Sequence, residues 1–309
     1  MEDRLLELLR CPFDGVPVVA ADGGFSCPTC KRRFERTEDG IPLMLHRDLP
    51  GAAEKLREAE AWPEKARAEG WYEPDDTVDA ALPFLNQELG WDDSNWRANA
   101  HSFQLLLGRY VEEARGLRVL EVGAAKAWAG RFWLERDCEF VATDILVDPN
   151  IGLGRGTFFG DFIRVQADGE HLPFADETFD VVYCIATLHH ALDLSRMVRE
   201  LARVARPGAV VAGLNEGVRG IGRSADNPEQ AGEKELGINE HVHTVWTYAR
   251  LFTRAGLVVR RIERADGWPP SPYGGALSHI PKVGMTLGTL AHASAAHYIG
   301  VSLYARKRR

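Results

Sequence analysis

The stretch VLEVGAAKAWAG at residues 119–130 constrains the fold more than any other part of the chain. An apolar run ends in the carboxylate of Glu121 and passes into a turn of glycine and alanine, and Asp144 closes the next apolar run about twenty residues later. Small residues let the backbone turn tightly and approach a ligand, while the second acid accepts hydrogen bonds from ribose hydroxyls. The pattern predicts a doubly wound α/β sheet that binds a nucleoside cofactor.

The charge of Glu121 indicates which nucleoside is bound. Its carboxylate stands where the pyrophosphate would pass in a dinucleotide site, and a fixed negative charge there repels phosphate and favours a cation. S-adenosylmethionine, whose sulfonium and ammonium groups are both positive, therefore suits this turn better than NAD does.

The composition limits the partners that the chain can have. Its 309 residues carry a net charge of -8, which gives no overall attraction to phosphate backbones. Neither a signal peptide nor an apolar run of membrane-spanning length is visible, so a cytoplasmic location is expected. Five cysteines without a secretion signal favour metal binding or core packing over a disulfide framework.

The periodicity divides the chain into three predicted parts. Residues 1–46 combine a short helix with turns and brief β runs, and residues 47–96 form a helical connector expected to cover the cofactor site. Residues 97–309 alternate strands and helices, with strands predicted at 118–122, 139–143, 164–167, 179–185, 209–214, 257–262 and 301–305. Because no usual crossover helix fits before the last strand, we expect a seven-stranded Rossmann-like sheet with one antiparallel edge strand.

Four motifs in this order resemble the class I S-adenosylmethionine-dependent methyltransferases, particularly the ubiquinone and menaquinone biosynthesis group. The motifs are VLEVGAAKAWAG, VATDI at 141–145, VQADGEHLPFADETFDVVYCIATLHH at 165–190 and RVARPGAVVAGLNE at 203–216. The resemblance implies that Glu121 and Gly123 contact the methionine end of the cofactor and that Asp144 binds the ribose. It also implies that Asp168 and Gly169 contact the adenine amino group, and that Ile185 lies beside the transferred methyl group.

The glycine-rich turn departs from the family pattern. The usual G-x-G-x-G becomes G-A-A-K-A, which puts Ala125 and Ala127 at positions that call for a positive φ. Alanine in that conformation costs about 1 kcal/mol relative to glycine, and its methyl group narrows the gap between backbone and cofactor. We therefore predict that Ala125 contacts the cofactor and that the site binds the cofactor more weakly than a glycine-rich turn would. The alternative is that this segment is a strand-to-helix turn without a ligand.

Two short-spaced pairs near the amino terminus predict a zinc site. Cys27 and Cys30 form one C-x-x-C turn, while Cys11 and Asp14 supply a second pair at the same separation, with Asp14 where a fourth cysteine is expected. Because an oxygen ligand is less usual for zinc, the alternatives are a site completed by His46 or a ribbon without metal. Residues 5–45, ending in DGIP at 39–42, resemble the zinc-ribbon family of tRNA-methyltransferase activator subunits.

Three groups of polar residues follow predicted strands, where open α/β sheets place their active sites. They are His189 and His190, then Asn215 and Glu216, and then Asn239, Glu240, His241 and His243. Because the sulfonium is already an activated methyl donor, a base is needed only for an acceptor that carries a proton. His189 and His241 are the preferred bases, with Glu216 and Asn239 as further catalytic candidates, and capping or packing roles are the alternative.

These features favour an enzyme that transfers a methyl group from S-adenosylmethionine to a small-molecule or lipid-like acceptor. An apolar insert at 266–299 is either a lid over such an acceptor or a helix packed on the sheet. Methylation of tRNA or rRNA is a second hypothesis, although the net charge makes nucleic acid the less favoured partner. A non-catalytic scaffold is a third, supported by the alanine changes alone. The sequence leaves the acceptor atom and the oligomeric state open.

Overall fold

The computed structural model describes residues 2–111, 115–225, 230–267 and 281–309, except for the side chains of residues 2 and 281–285. The helices are α1 Glu2–Leu8, α2 Ala52–Glu69, α3 Asp76–Ala81, α4 Leu85–Glu88, α5 Ser94–Leu105, α6 Gly130–Leu134, α7 Leu194–Val204, α8 Ala231–Glu235, α9 Val245–Arg254 and α10 Pro281–Ala295. The strands are β1 Val19–Ala21, β2 Gly24–Ser26, β3 Arg33–Glu35, β4 Arg118–Val122, β5 Glu139–Asp144, β6 Ile163–Gln166, β7 Phe179–Ile185, β8 Ala205–Arg219, β9 Leu257–Arg264 and β10 Tyr298–Lys307. All the strands predicted after residue 97 are confirmed, and β8 is the one whose ends differ most.

The described part of the chain contains a seven-stranded sheet in the order β6-β5-β4-β7-β8-β10-β9. Its first five strands are parallel and apolar along most of their length, because helices cover both faces of such a sheet. Strand order reverses between β4 and β7, and ligands bind beyond the carboxyl ends of strands at such a switch point. The fold therefore places a site at the ends of β4, β5 and β7.

The mixed sheet is confirmed, but its antiparallel strand is not at the predicted place. β10 pairs antiparallel with both β8 and β9, so it lies one position in from the edge and β9 is the edge strand. The connection through α9 leaves a gap one strand wide between β8 and β9, which the chain fills when it returns. Succession along the chain predicts that β9 and β10 are neighbours, but it does not reveal on which side β10 pairs.

Helix α7 packs one apolar face against the sheet. Residues spaced three and four apart define that face, and all of them are buried: Leu194, Met197, Val198, Leu201 and Val204. The Asp193 carboxylate begins the helix by accepting a 2.9 Å hydrogen bond from the Arg196 amide. The packing fixes Met197 at the floor of the site described below.

The segments that flank the amino-terminal sheet of β1, β2 and β3 pair with the larger domain through their backbone. Leu43 forms a parallel bridge with Gln166 at the end of β6, and Leu9 forms an antiparallel bridge with Phe174. Apolar residues of both sheets belong to one core cluster. These flanking segments therefore hold the end of β6 and the chain that follows it.

Helix α2 lies over the loops that follow β5 and β7. Ala52, near its start, packs in a cluster with Ile145, and Ala66, near its end, packs with Leu146 and Ile151. Between these anchors, the Lys55 amine donates a 2.5 Å hydrogen bond to the His190 carbonyl oxygen. The helix expected to cover the site is thus fixed to both loops.

The insert after β9 is described from residue 281 onward. Helix α10 packs on β9, with Thr289 and Ala293 buried and Leu287 exposed. This arrangement agrees with the packed-helix alternative for the described part. Trp268, Tyr273 and Ile280 lie outside the described residues. Among the residues that the structure describes, no helix has both the length and the apolar character required to cross a bilayer.

Candidate active site

A cavity of about 290 Å³ opens at the carboxyl ends of β4, β5 and β7. Its lining consists of Lys55, Glu58, Trp62, Trp71, Val122, Gly123, Ala125, Asp144, Ile145, Leu146, Ile151, Ala167, Asp168, Gly169, Ile185, Ala186, Thr187, His190, Ala191 and Met197. Six of the residues predicted to bind the cofactor are among them, namely Gly123, Ala125, Asp144, Asp168, Gly169 and Ile185. The structure therefore brings together residues from three of the four motifs.

The turn after β4 has the backbone conformation that its sequence predicts. Gly123 has a φ of 74°, and a Cβ atom built there would clash with the Thr187 side chain. Ala125 and Ala127 have φ angles of 46° and 56°, in the left-handed region that disfavours any residue with a Cβ. The positive φ angles predicted for the two alanines are confirmed.

Asp144 connects this turn to the loop after β5. Its Oδ2 accepts a 2.7 Å hydrogen bond from the Ala125 amide, and its Oδ1 accepts a 2.8 Å bond from the Leu146 amide. Burial raises the pKa of the Asp144 carboxyl, although both amide bonds act in the opposite direction. The carboxylate edge that faces the cavity retains lone pairs for a ligand.

Asp168 and Gly169 form the opposite wall, after β6. The Asp168 Oδ1 accepts a hydrogen bond from the Glu170 amide at 3.0 Å, and its Oδ2 lies 2.9 Å from the His171 Nδ1. A Cβ on Gly169 would lie 2.8 Å from the Met197 Cε and 3.0 Å from the Val122 Cγ1, so both side chains pack closely on this glycine. Neighbouring groups therefore fix the conformation of this wall, as they do that of the turn after β4.

The structure does not place Glu121 among the residues that line the cavity. The side chain is buried within the sheet, and its Oε2 has no hydrogen-bond partner among the described residues. Burial raises the pKa of Glu121 to about 8, partly offset by a hydrogen bond from the Tyr183 hydroxyl. Tyr183 in turn accepts a 2.9 Å hydrogen bond from the Trp133 Nε1. Direct contact with the methionine end, as implied by the resemblance, would require the ligand to reach deeper than this cavity.

Glu216 and His189, two of the catalytic candidates, meet behind the cavity wall. The Glu216 Oε1 accepts hydrogen bonds of 3.0 Å from the Thr187 and Leu188 amides, and its Oε2 lies 3.0 Å from the His189 Nδ1. Glu216 is fully buried, and neither side chain is part of the cavity lining in the described residues. Their contacts hold the loop after β7 in place.

His190 reaches the cavity where the predicted base His189 does not. Its Nδ1 donates a 2.7 Å hydrogen bond to the Asn239 carbonyl oxygen and lies 3.3 Å from the Glu58 Oε1. These acceptors and the Glu240 carboxylate raise the pKa of His190 to about 9 against the effect of burial. An imidazole with that pKa is protonated at neutral pH and donates hydrogen bonds. It is therefore suited to holding negative charge, and unsuited to accepting a proton.

Asn239 and His241 lie on the loop before α9. The Asn239 Nδ2 donates a 2.8 Å hydrogen bond to the His190 carbonyl oxygen, so its amide clamps the same loop that Glu216 holds. His241 is exposed, and its backbone amide donates to the His189 carbonyl oxygen. Neither residue lines the cavity described above, so both predicted catalytic residues lie in supporting positions.

The structure adds four residues of the connector to the cavity: Lys55, Glu58, Trp62 and Trp71. The spacing of the first three, at three and four residues, puts them on one helical face, and this was readable from the sequence. Charged residues at such spacing usually face solvent, however, so the sequence does not predict that Lys55 and Glu58 are buried. His190 was named beside His189, but which of two adjacent histidines enters a cavity depends on the turn geometry.

The predicted metal ligands are brought together at the amino terminus. Ligand atoms of Cys11, Asp14, Cys27 and Cys30 all lie within 4.8 Å of one another. The Cys27 Sγ lies 3.0 Å from the Asp14 Oδ2 and accepts bonds from the Thr29 and Cys30 amides at 3.3 and 3.4 Å. Amide donors of this kind stabilise a thiolate, so the set fits a tetrahedral zinc ion with three sulfur ligands and one oxygen ligand.

His46, the alternative fourth ligand, is used elsewhere. Its Nδ1 accepts a 3.1 Å hydrogen bond from the Asp48 amide, and its ring packs edge-on against Phe13 and Phe34. Asp14 is therefore the oxygen ligand that the geometry supports.

Known proteins resemble the part of the chain that forms this cavity. Residues 120–213 match the family model described as a methyltransferase domain. They include the ends of β4, β5, β6 and β7, and so every strand from which the cavity is built. The domain is therefore an α/β Rossmann-like one, and its residues 120–213 are similar to a methyltransferase domain.

Individual relatives cover part of the chain. A demethylmenaquinone methyltransferase of Corynebacterium urealyticum is 34% identical over 104 residues, which are 34% of this chain and 44% of that protein. A malonyl-[acyl-carrier protein] O-methyltransferase of Pseudescherichia vulneris is 31% identical over 120 residues, 39% of this chain and 47% of that protein. A solved S-adenosylmethionine-dependent methyltransferase from Mesorhizobium loti is 19% identical, with a TM-score of 0.49 over 70% of this chain and 99% of that one. The chain thus spans less than half the length of these two curated relatives.

Replacing Ala125 with glycine should relieve the strain in the turn. We expect Ala125→Gly to raise the free energy of unfolding by about 0.5–1 kcal/mol, because its φ is 46°. Ala129→Gly is the matched control, since Ala129 has a φ of -69° and should lose about 0.5–1 kcal/mol. Urea unfolding measures both, and equal losses in the two variants would show that the left-handed conformation carries no strain.

The buried Glu121 predicts a pH dependence of stability. Because its folded pKa of about 8 lies above the ordinary value of 4.5, the folded state binds more protons between these pH values, and Glu121 progressively destabilises the fold as pH rises through that window. Glu121→Gln, which can still accept the Tyr183 hydroxyl, should be increasingly more stable than wild type from pH 5 to about 8. Unfolding in urea at a series of pH values tests this, and parallel profiles for the two proteins would contradict it.

Proposed function

We propose that this chain transfers a methyl group from S-adenosylmethionine to a small-molecule or lipid-like acceptor by in-line displacement. The carrying observation is the single cavity in which the Gly123 turn, Asp144 and Asp168 meet. A cationic ligand agrees with the carboxylates on its wall, and the one cation of the turn, Lys126, is paired with Asp79 at 2.8 Å. The matched methyltransferase domain supports the same conclusion.

Each wall of the cavity has a proposed role toward the cofactor. Asp144 accepts hydrogen bonds from the ribose hydroxyls. Asp168 and Gly169 contact the adenine. The backbone at Gly123 and Ala125 passes beside the methionine end. Ile185 packs beside the methyl group. Glu121 supports the turn from below and acts on the ligand only through it.

When bound, the cofactor supplies an activated methyl group, so the protein's task is alignment. Thr187 and His190 face the cavity after β7, and His190, as a cation, can stabilise negative charge on an acceptor oxygen or carbon. His189, Glu216 and Asn239 position this loop through the contacts given above, and His241 joins it through its backbone. A separate general base is then needed only if the acceptor reaches the site protonated.

The names of two relatives and the net charge of the chain support the proposed acceptor class. The relatives are named for demethylmenaquinone and for malonyl-[acyl-carrier protein], which are a lipid quinone and an acyl thioester. A net charge of -8 speaks against RNA as the acceptor. Methylation of tRNA or rRNA, and a non-catalytic scaffold, are the outcomes that the following experiment separates.

Calorimetric titration with S-adenosylmethionine tests the proposed function. We expect saturable binding by wild type and a loss of at least about tenfold in affinity for Asp144→Ala, because that change removes the ribose acceptor and releases the turn. Asp161→Asn, an exposed carboxylate outside the cavity, is the matched control. If the wild type binds no S-adenosylmethionine, both enzyme hypotheses fail and the scaffold hypothesis remains. Salt-sensitive RNA binding would favour methylation of tRNA or rRNA.

We also propose that the amino-terminal sheet is a zinc ribbon held by Cys11, Asp14, Cys27 and Cys30. The supporting observation is the convergence of these ligand atoms together with the amide donors aimed at the Cys27 sulfur. Because the segments that flank this small sheet pair with Gln166 and Phe174, the metal would stabilise the wall that carries Asp168. The ribbon is thus proposed as a support for the cofactor site.

Metal analysis by mass spectrometry should find about one zinc ion per purified chain. Cys27→Ser should lose that zinc and lower the melting temperature by several degrees, since it removes one of three sulfur ligands. Cys138→Ala, which changes a buried cysteine outside the cluster, should keep its zinc. Full zinc content and unchanged melting in the Cys27 variant would show that the cysteines serve only the core.

A further inference from the structure

Helix α2 puts an uncommon set of charges against the cavity. Lys55 and Glu58 are 5% and 2% exposed, and Trp62 follows on the same helical face. Burying charged groups is unfavourable unless each has a partner. The contacts of Glu58 therefore decide whether the carboxylate is fully neutralised by the protein itself.

Glu58 has two cationic neighbours, and both are engaged more closely by other atoms. Its Oε1 lies 3.3 Å from the His190 Nδ1 and its Oε2 lies 3.6 Å from the Lys55 Nζ. Charge-assisted hydrogen bonds are about 2.7–2.9 Å long. The His190 Nδ1 has the Asn239 carbonyl oxygen at 2.7 Å, and the Lys55 Nζ has the His190 carbonyl oxygen at 2.5 Å. The Glu58 carboxylate thus keeps capacity for a further cation.

The location of Glu58 singles out one part of the ligand. It acts electrostatically on Asp144, the proposed ribose acceptor, and it touches His190, which follows the β7 loop beside the transferred methyl group. In S-adenosylmethionine, the sulfur lies between the ribose and that methyl group. Because Glu58 lines the cavity and interacts with both residues, it is the acid that this placement assigns to the sulfur.

The charge on the cavity wall agrees with a cationic ligand. Glu58, Asp144 and Asp168 are negative, whereas Lys55 and a protonated His190 are positive, which leaves one net negative charge on the lining. S-adenosylmethionine carries one net positive charge. Its demethylated product, S-adenosylhomocysteine, carries none, because the neutral thioether has replaced the sulfonium.

We propose that Glu58 is the counter-charge for the sulfonium and makes the site prefer the cationic methyl donor over the neutral product. This inference rests on the proposed function. During transfer, an electron pair of the acceptor forms the new bond to the methyl carbon, and the sulfur keeps the pair of the broken bond and loses its charge. The attraction to Glu58 ends at that moment, which favours release of the product.

Calorimetric titration of wild type and Glu58→Gln with three ligands tests the proposal. The ligands are S-adenosylmethionine, S-adenosylhomocysteine and sinefungin, an analogue with a protonated amine in place of the methylsulfonium. Wild type should bind both cationic ligands more tightly than S-adenosylhomocysteine. Glu58→Gln should weaken the cationic ligands by about ten- to a hundredfold and S-adenosylhomocysteine by less than about threefold.

Two further proteins make the result specific. Glu60→Gln, an exposed glutamate on the same helix, should leave all three affinities unchanged, and Glu58→Asp should keep a preference for the cations because it keeps the charge. Equal weakening of all three ligands in Glu58→Gln would overturn the proposal and assign Glu58 a structural role. Equal affinities in wild type would overturn it without any variant. If wild type binds none of the three ligands, the proposed function itself fails.

Discussion

The Asp144 carboxylate is the contact on which the rest of the site depends. One of its oxygens holds the amide of Ala125 in the turn after β4, and the other holds the amide of Leu146 in the loop after β5. A single half-buried acid thereby fixes two loops that come from adjacent parallel strands. Its raised pKa shows that desolvation outweighs these amide bonds, so a ligand that donates hydrogen bonds or brings positive charge stabilises the ionised form.

The opposite wall depends on the amino-terminal sheet as much as on the larger one. Asp168 and Gly169 follow β6, where the backbone is paired with Leu43 on one side and the chain at Leu9 meets Phe174 on the other. The small sheet shares its apolar core with the large one, so loosening the first would disturb the second. The proposed zinc ion can therefore stabilise the cofactor site indirectly, through this backbone pairing and without any direct contact.

Much of this fold is readable from the sequence, because parallel strands are continuous apolar runs and α7 has a clear helical period. The cavity residues at the ends of β4, β5 and β6 were equally predictable, since strand ends fix their direction. The sequence does not predict three other features: the place of β10 in the sheet, the entry of His190 into the cavity in place of His189, and the burial of Glu58. Each of these depends on contacts between segments far apart in the chain, and local pattern carries no information about them.

Backbone strain is concentrated where the proposed chemistry takes place. Besides Ala125 and Ala127, the non-glycine residues Ala186 and Asn215 have positive φ angles of 48° and 51°, at the ends of β7 and within the distal part of β8. Such conformations persist only where surrounding contacts impose them, and here Asp144, Glu216 and the Asn99 amide oxygen supply those contacts. Asp144 thus both contributes charge to the site and maintains a strained turn. Replacing it would alter backbone geometry and ligand electrostatics together, so Glu58, whose charge comes from the separate helix α2, is the better-isolated probe of ligand recognition.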